Sequence, residues 1–300
     1  MSLAVVTTSY RPDFASFARL HESVAKYTDP SVRHIVAVPG ADVPLFESID
    51  SSRLEVINQR QVLPRWFVET TRLARLPYLP RGFRVASINL ARPWLPIRGW
   101  ILQQIVKLAV VAELDVDVAL ILDSDVLVIR PIEESTFRRP DGVVRLYRKP
   151  NGIWAGMKRH VAERRRALEL LAVGEVEAES PDYIGGIMSC DPALVREMLA
   201  RIQEVTGQRW QDCVGSSLDF SEFITYGTYV MSLADESKRS FVSDDSLCLS
   251  HWDLNALDLE AARLFLAGLK SSDLAIHIQS NTGTSDAVLE FVAAQAATAD

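Results

Sequence analysis

The sequence predicts an α/β fold: a single Rossmann-type domain with a mixed, mostly parallel central sheet flanked by helices. Three observations carry this. Compact β-branched runs alternate with helical patterns along the first 131 residues, and each run opens into a polar turn. At 300 residues and 48% hydrophobic composition, the chain is long enough to bury one sizeable core. Finally, residues 119–131, A-L-I-L-D-S-D-V-L-V-I-R-P, form a buried-strand pattern that delivers Asp123 and Asp125.

Residues 2–8 read as the first strand, followed by the polar turn Thr8-Ser9-Tyr10-Arg11-Pro12. Phe14, Phe17, Leu20, His21 and Val24 then recur at helical spacing. Loops of this kind lie at the carboxyl end of a parallel sheet, where ligands bind. Thr7, Thr8 and Tyr10 can hydrogen-bond to and stack on a base, and ordinary turn chemistry is the other reading. No G-x-G-x-x-G follows this strand, so a dinucleotide fingerprint is missing. Residues 34–38 and 54–57 predict two further strands, with a short helix over 45–49 between them. Residues 58–96 contain Pro64, Pro77, Pro80, Pro93 and Pro96 and no clean periodicity, which predicts a long irregular excursion with an edge hairpin over 83–90.

Residues 99–114, G-W-I-L-Q-Q-I-V-K-L-A-V-V-A-E-L, are the clearest helix. Its apolar stripe is accompanied by Trp100, Gln103, Gln104 and Lys107, and a lysine on such a helix needs an anion, either a phosphate or a structural carboxylate. Arg98 stands at the helix start, where free amides also favour anions. The aspartate run follows. Two carboxylates one residue apart at the end of a buried strand repel one another, and a divalent cation with oxygen preference, Mg²⁺ or Mn²⁺, relieves that repulsion. The other reading is a pair of strand-end acids capping a turn.

Beyond Pro131 the pattern predicts a strand near 143–147, a substrate-facing loop over 149–156 and a charged helix over 157–173. It then predicts a strand over 183–190 interrupted by Gly185 and Gly186, and a helix capped by Asp191. Residues 220–230 read as a helix that places Glu222 among aromatics, either as a general base or as a salt-bridge partner. Residues 274–278 form a short strand presenting His277, as a core residue or a third metal ligand.

Composition limits the partners. The formal charge is −7 and no basic run exceeds residues 164–166, which argues against a nucleic-acid surface. The N-terminus lacks a basic signal region, and no apolar stretch approaches the roughly 20 residues of a membrane span. Cys190, Cys213 and Cys248 lack metal spacing and read as free thiols of a cytoplasmic protein.

In order along the chain, L-I-L-D-S-D-V-L-V-I-R-P, G-W-I-L-Q-Q-I-V-K-L, Y-I-G-G-I-M, S-E-F-I-T-Y-G and I-H-I-Q-S-N-T resemble GT-A-type (D-x-D) glycosyltransferases, most closely a bacterial subgroup of that superfamily. The resemblance implies a single GT-A-like domain over 1–300, with a nucleotide-binding half over 1–130 and an acceptor-binding half over 131–300. It implies transfer of a sugar from a nucleotide-diphosphate sugar to a glycan, lipid-linked or small-molecule hydroxyl acceptor, with Mn²⁺ or Mg²⁺ as cofactor. Asp125 would bind the metal directly, Asp123 would hold metal or ribose with Ser124 between them, and His277 would be the third ligand. The segment Thr7, Thr8, Ser9, Tyr10 and Arg11 would receive the base. Arg98, Gln104 and Lys107 would steady the diphosphate or sugar, Gly185 and Gly186 would line the donor sugar, and Glu222 would lie near the acceptor. The chain departs from better known retaining families in lacking H-x-x-G-x-x-K after His277.

Two rivals share parts of the pattern. A haloacid-dehalogenase-type phosphatase also ends a buried strand in D-x-D, and residues 241–246, F-V-S-D-D-S, resemble its late acidic pair. Its aspartate strand, however, opens the domain, whereas here about three strands precede it. A non-catalytic nucleotide-binding protein on the same fold needs no paired acids.

Overall fold

A computed structural model describes residues 2–70, 85–92, 94–174 and 180–296. The chain opens with β1 (Leu3–Thr8), α1 (Phe14–Tyr27), β2 (Arg33–Val38), α2 (Val43–Phe46) and β3 (Leu54–Asn58). These are the predicted first units, with the short helix beginning two residues earlier than its pattern. All six residues of β1 are buried, as expected of a strand covered on both faces. Ala4 and Val6 face one core with Ile35, Ile105 and Ile121, while Leu3 and Val5 face another with Leu20 and Leu120. That division is the two-residue period of a strand.

The predicted irregular excursion is corrected by three short strands, β4 (Phe67–Glu69), β5 (Val85–Asn89) and β6 (Pro96–Arg98), which form their own antiparallel sheet in the order β4-β5-β6. The three-residue strands β4 and β6 are too short to leave a periodic signal, and Pro96 is tolerated because it starts an edge strand. Pro77, Pro80 and the start of the predicted 83–90 hairpin lie outside the described residues, as does Pro93.

Helix α3 (Gly99–Glu113) packs against β1 and β2 and leads into β7 (Val118–Ile121). The central sheet runs β10-β7-β1-β2-β3, where β10 is Met188–Cys190. β1 is parallel to β2 and β7, β2 is parallel to β3, and β10 closes the edge antiparallel to β7. The strand order therefore grows outward from β1 in one direction and then reverses to β7. That makes the β1/β7 junction a topological switch point, where two loops diverge and leave a crevice.

The aspartate run is not one strand. β7 ends at Ile121, the chain turns with the Val126 amide donating to the Asp123 carbonyl at 3.0 Å, and β8 (Val126–Val128) enters a second sheet. There β8 pairs antiparallel with β13 (Ala275–Ile278), which pairs with β12 (Cys248–His251) in the order β12-β13-β8. Two apolar runs look alike in sequence whichever sheet receives them, so the exchange of sheets at D-S-D is a tertiary feature.

The rest of the chain covers these sheets. α4 (Glu134–Phe137), β9 (Leu146–Tyr147), α5 (Lys158–Leu171), α6 (Pro192–Thr206), α7 (Trp210–Gly215), α8 (Glu222–Ser232), β11 (Val242–Ser243), α9 (Leu259–Leu266) and α10 (Asp286–Ala296) complete the described elements. The Asp191 side chain accepts from the Ala193 amide, which is the predicted cap of α6. The pattern did not identify α7, β11, β12, α9 or α10. Among the described residues no helix is long and apolar enough to cross a membrane, and the three cysteines are buried and free.

The predicted strand with an internal glycine pair is also corrected, because it begins only at Met188 and both glycines precede it. Gly186 lies against β12, and a Cβ there would sit 2.4 Å from Cys248 Sγ. Its role is close packing of two sheets. Gly186→Ala is expected to destabilise the fold by about 1–3 kcal/mol, read as a lower urea midpoint with an unchanged slope. A Cβ on Gly185 would meet Tyr147 at an ordinary 3.4 Å, so Gly185→Ala should change the midpoint far less.

Candidate functional site

The switch point gathers the chemistry. On the β1 side, Ser124 Oγ donates to Ser9 Oγ at 2.9 Å, and the Ser9 amide donates to the Ala37 carbonyl at 3.1 Å. The loop after β1 is thereby fastened to the D-S-D turn. Thr7 is fully buried and its hydroxyl is taken up by the Leu122 carbonyl and His34, so it contacts protein. Thr8 and Ser9 are buried, Tyr10 is half-buried and Arg11 is exposed. Arg11 is engaged by Asp42, through its amide at 2.9 Å and its Nε at 3.1 Å. An exposed pair of this kind contributes little stability and leaves the guanidinium at the rim.

Asp13, two residues beyond Arg11, is an acid the sequence reading passed over, since an acid at a helix start reads as a cap. Burial and the charges of Asp125 and Asp123 push its carboxyl up to about 6. The fold therefore brings three carboxylates into mutual range at the switch point.

Asp125 is held from the second sheet. Its Oδ2 accepts the Ser280 amide at 2.8 Å, and its carbonyl accepts the Ile278 amide at 3.4 Å. His277 pairs with Val126 in the β13–β8 register, which sets its Nε2 3.4 Å from Asp125 Oδ1. That contact lacks hydrogen-bond alignment: Asp125 Oδ1 and His277 Nδ1 are both buried with no hydrogen-bond partner among the described residues. Burial pushes the Asp125 carboxyl up, but His277 and the Ser280 amide outweigh it and hold the group below its ordinary range. Trp252, which follows β12, lies over the His277 ring at 4.4 Å.

Asp123 points the other way. Its side chain is 49% exposed, and its Oδ1 is 2.7 Å from Lys107 Nζ. The same ammonium lies 3.0 Å from Glu222 Oε1, and the Lys107 and Glu222 side chains are only 7% and 5% exposed. Of the two readings of Lys107, the structure places it on carboxylates. Burial works against its charge, but Asp123 and Glu222 more than offset this and keep the ammonium above the ordinary lysine range. Burial raises the Glu222 carboxyl, and Lys107 only partly opposes the shift. Gln104 Oε1 accepts the Glu222 amide at 2.9 Å, and the Ser221 hydroxyl accepts from Ile224, so the first turn of α8 is capped from both sides. Trp100, Gln104 and Lys107 fall at i, i+4 and i+7 on one face of α3. Arg98 is the exposed residue before that helix.

A cavity of about 220 Å³ opens beside Asp125, with Asp13, Ser124, Ser280, Thr284 and Asp286 in its wall. Among the described residues no three His, Cys, Asp or Glu side chains are gathered in an arrangement that could hold a metal ion. The donors on hand are Asp123, Asp125 and His277, with Asp123 shared by Lys107. Gly185 and Gly186 lie outside this cluster, packed against Tyr147 and against Cys248 with Ser250. The late acidic pair is held in its own turn, where Asp245 Oδ1 accepts the Leu247 amide at 3.1 Å and its carbonyl accepts Arg145 Nη2 at 2.8 Å.

Among solved structures, the chain is similar to an active-site mutant of LgtC, with 13% identity over 99% of this chain and 97% of that one and a TM-score of 0.47. It is also similar to the galactosyltransferase LgtC in complex with donor and acceptor sugar analogues, with 12% identity, 99% and 97% coverage and a TM-score of 0.45. A third similarity is to the bifunctional glycosyltransferase WbbM in its apo form, with 11% identity over 92% of this chain and 45% of that one and a TM-score of 0.46. No curated protein matches the sequence. The profile described as a family of unknown function, DUF6492, matches residues 1–268, and the chain belongs to that family.

Proposed function

We propose that this protein is a glycosyltransferase that moves a sugar from a nucleotide-diphosphate sugar to a hydroxyl acceptor. The observation that carries the reading is the meeting of the loop after β1, the D-S-D turn and the Ser280 loop around a cavity with a mixed polar and apolar wall, with Asp125 Oδ1 buried beside it without a hydrogen-bond partner among the described residues. His277 supports that oxygen electrostatically from 3.4 Å without hydrogen-bond alignment, and a cation would supply the direct partner it lacks. Carboxylate oxygens suit Mn²⁺ or Mg²⁺, and Asp125 is the residue that would hold the ion. Asp123 is turned to Lys107 and would have to rotate to join it, with His277 beside Asp125, because the described residues form no ready three-ligand set. Such a cation, when bound, would neutralise charge developing on a departing diphosphate.

The chain's own residues have separate tasks in this reading. Ser9 and Ser124 fix the nucleotide-facing loop to the aspartate turn, and the Ser280 amide orients Asp125. Lys107 holds Asp123 in place and keeps a preorganised positive charge at the site. Glu222 is buried behind Lys107, so its contribution is to hold that ammonium. Residues 1–130 form the nucleotide half, and a glycan, lipid-linked or small-molecule acceptor would meet the half formed by 131–300. The phosphatase reading is weaker, because Asp245 is spent on its own turn and on Arg145.

Calorimetry with Mn²⁺ and a panel of nucleoside diphosphates tests the proposal. Binding of at least one diphosphate that is lost on chelation is expected. Wild-type protein that binds none of them with Mn²⁺ present removes the reading. Release of nucleoside diphosphate from a nucleotide sugar then separates an enzyme from a binding protein.

A further inference from the structure

Behind the D-S-D turn lies a buried chain of polar contacts that the proposed chemistry does not use. His21 on α1, His34 on β2 and Thr7 on β1 are all buried. His21 Nδ1 is 3.0 Å from His34 Nδ1, His34 Nε2 is 3.0 Å from Thr7 Oγ1, and Thr7 Oγ1 donates to the Leu122 carbonyl at 2.8 Å. Hydrogen-bond valence orders every proton in this chain. The Thr7 hydroxyl has one hydrogen and gives it to Leu122, so it must accept from His34, and the His34 proton is on Nε2. His34 Nδ1 is then a bare acceptor, which requires His21 to carry its proton on Nδ1. This leaves His21 Nε2 as a buried lone pair, and that atom has no hydrogen-bond partner among the described residues.

His34 must be neutral for this order to hold, because a proton on its Nδ1 would set two N–H donors against each other. His21 is neutral as well, since a proton on its Nε2 would be a buried charge with no partner among the described residues. The surroundings keep them so. Phe17 packs against both rings, at 6.2 and 5.2 Å between centroids. Burial lowers the proton affinity of each imidazole; Arg53 lowers His21 further, and His21 and then Arg53 lower His34 further. Arg53 is the charged group facing the pair. Its guanidinium is bound by the Val32, Ala25 and Asp29 carbonyls, and Asp29 partly balances its charge.

The end of the chain is what gives it meaning. Leu122 immediately precedes Asp123, and its amide donates to the Val6 carbonyl at 3.1 Å. Both polar groups of Leu122 are therefore fastened to β1 at the point where the strand leaves the central sheet. We infer that His21 and His34 are positioning residues: the ordered His21–His34–Thr7 chain fixes the Leu122 carbonyl and so sets the direction in which the turn presents Asp123 and Asp125. That the turn is a metal-diphosphate site rests on the function proposed above, whereas the coupling of the histidines to the turn does not.

The test uses the ligand-free protein, so it stands apart from the fate of that proposal. Long-range proton–nitrogen spectra of the imidazoles near neutral pH are expected to show His34 protonated on Nε2 and His21 on Nδ1. A His34 ring protonated on Nδ1 overturns the inference. Amide exchange then reads the turn through Val126, whose amide donates to the Asp123 carbonyl. His34→Leu and Thr7→Val are each expected to speed Val126 exchange about tenfold while the Met198 amide in α6 keeps its rate. His34→Gln, which retains an N–H donor toward Thr7, should restore Val126 protection. An equal acceleration at Val126 and Met198, or no acceleration at Val126, overturns the inference. If His34→Leu does not fold, Thr7→Val decides the link to the turn, since that change removes a hydroxyl and keeps the side chain's shape, and the imidazole spectra of the wild type decide the order of the two histidines.

Discussion

Asp125→Asn is expected to lower metal-dependent turnover of a nucleotide sugar by about 10²- to 10³-fold, the usual cost of losing one preorganised electrostatic partner. The substitution keeps the shape and leaves an amide oxygen to accept from the Ser280 amide, so the turn should retain its geometry. What is lost is the negative charge at Oδ1, the oxygen with no hydrogen-bond partner. The folded state holds the Asp125 carboxyl below its ordinary range, so its ionised form contributes stability above the unfolded pKa, roughly 3.9, and loses it as pH falls through the lower folded value. At neutral pH that contribution is fully present in the wild type and absent in the variant. Part of its electrostatic support is withdrawn at the same time, because His277 no longer faces a charge. Steady-state kinetics with and without Mn²⁺, alongside a melting curve, check the prediction. A variant with unchanged melting and near wild-type metal-dependent turnover would take Asp125 out of the chemistry.

The contrast between Asp125 and Lys107 shows how far the sequence reaches. Asp123 and Asp125 stood out in the sequence because charge at the end of a buried apolar run is improbable unless something stabilises it, and that argument needs only neighbours in sequence. The parallel start of the sheet, α3 and the Asp191 cap were legible for the same reason, since each rests on a local period or a local hydrogen bond. Lys107 was visible as a buried cation in need of an anion. Its partner was not, because Glu222 lies 115 residues away and a phosphate would have served the same need. The switch of sheets at Asp123, the fastening of Ser9 to Ser124 and the proximity of Asp13 are likewise set by strand order. Thr7 shows the opposite failure. Its position after a first strand suggested a ligand contact, but its side chain faces inward, onto His34 and the Leu122 carbonyl, while the backbone runs on to the loop.

Lys107→Met should be the most destabilising single change at the site. It keeps the length of the side chain and removes the charge that Asp123 and Glu222 share, leaving Glu222 buried without its ammonium. Breaking a buried pair from one side costs about 3–5 kcal/mol. For a chain of this size the loss corresponds to a fall in melting temperature of roughly 5–15 °C. The pH dependence identifies the cause. Burial already raises the Glu222 carboxyl above its unfolded value, and loss of Lys107 removes the main opposing influence, so the folded pKa rises further. An acid raised in this way is accommodated as the neutral form below the unfolded pKa, and its stability contribution is lost as pH rises through the folded value. The deficit of Lys107→Met should therefore grow as pH rises above the ordinary carboxylate range. Adding Glu222→Gln should recover much of it at the higher pH, because a neutral amide replaces the stranded carboxylate while Gln104 continues to accept the residue-222 amide. A deficit that is flat with pH, or one that Glu222→Gln leaves untouched, would show that Lys107 acts through packing against Phe223, whose ring centroid lies 5.3 Å from its Nζ.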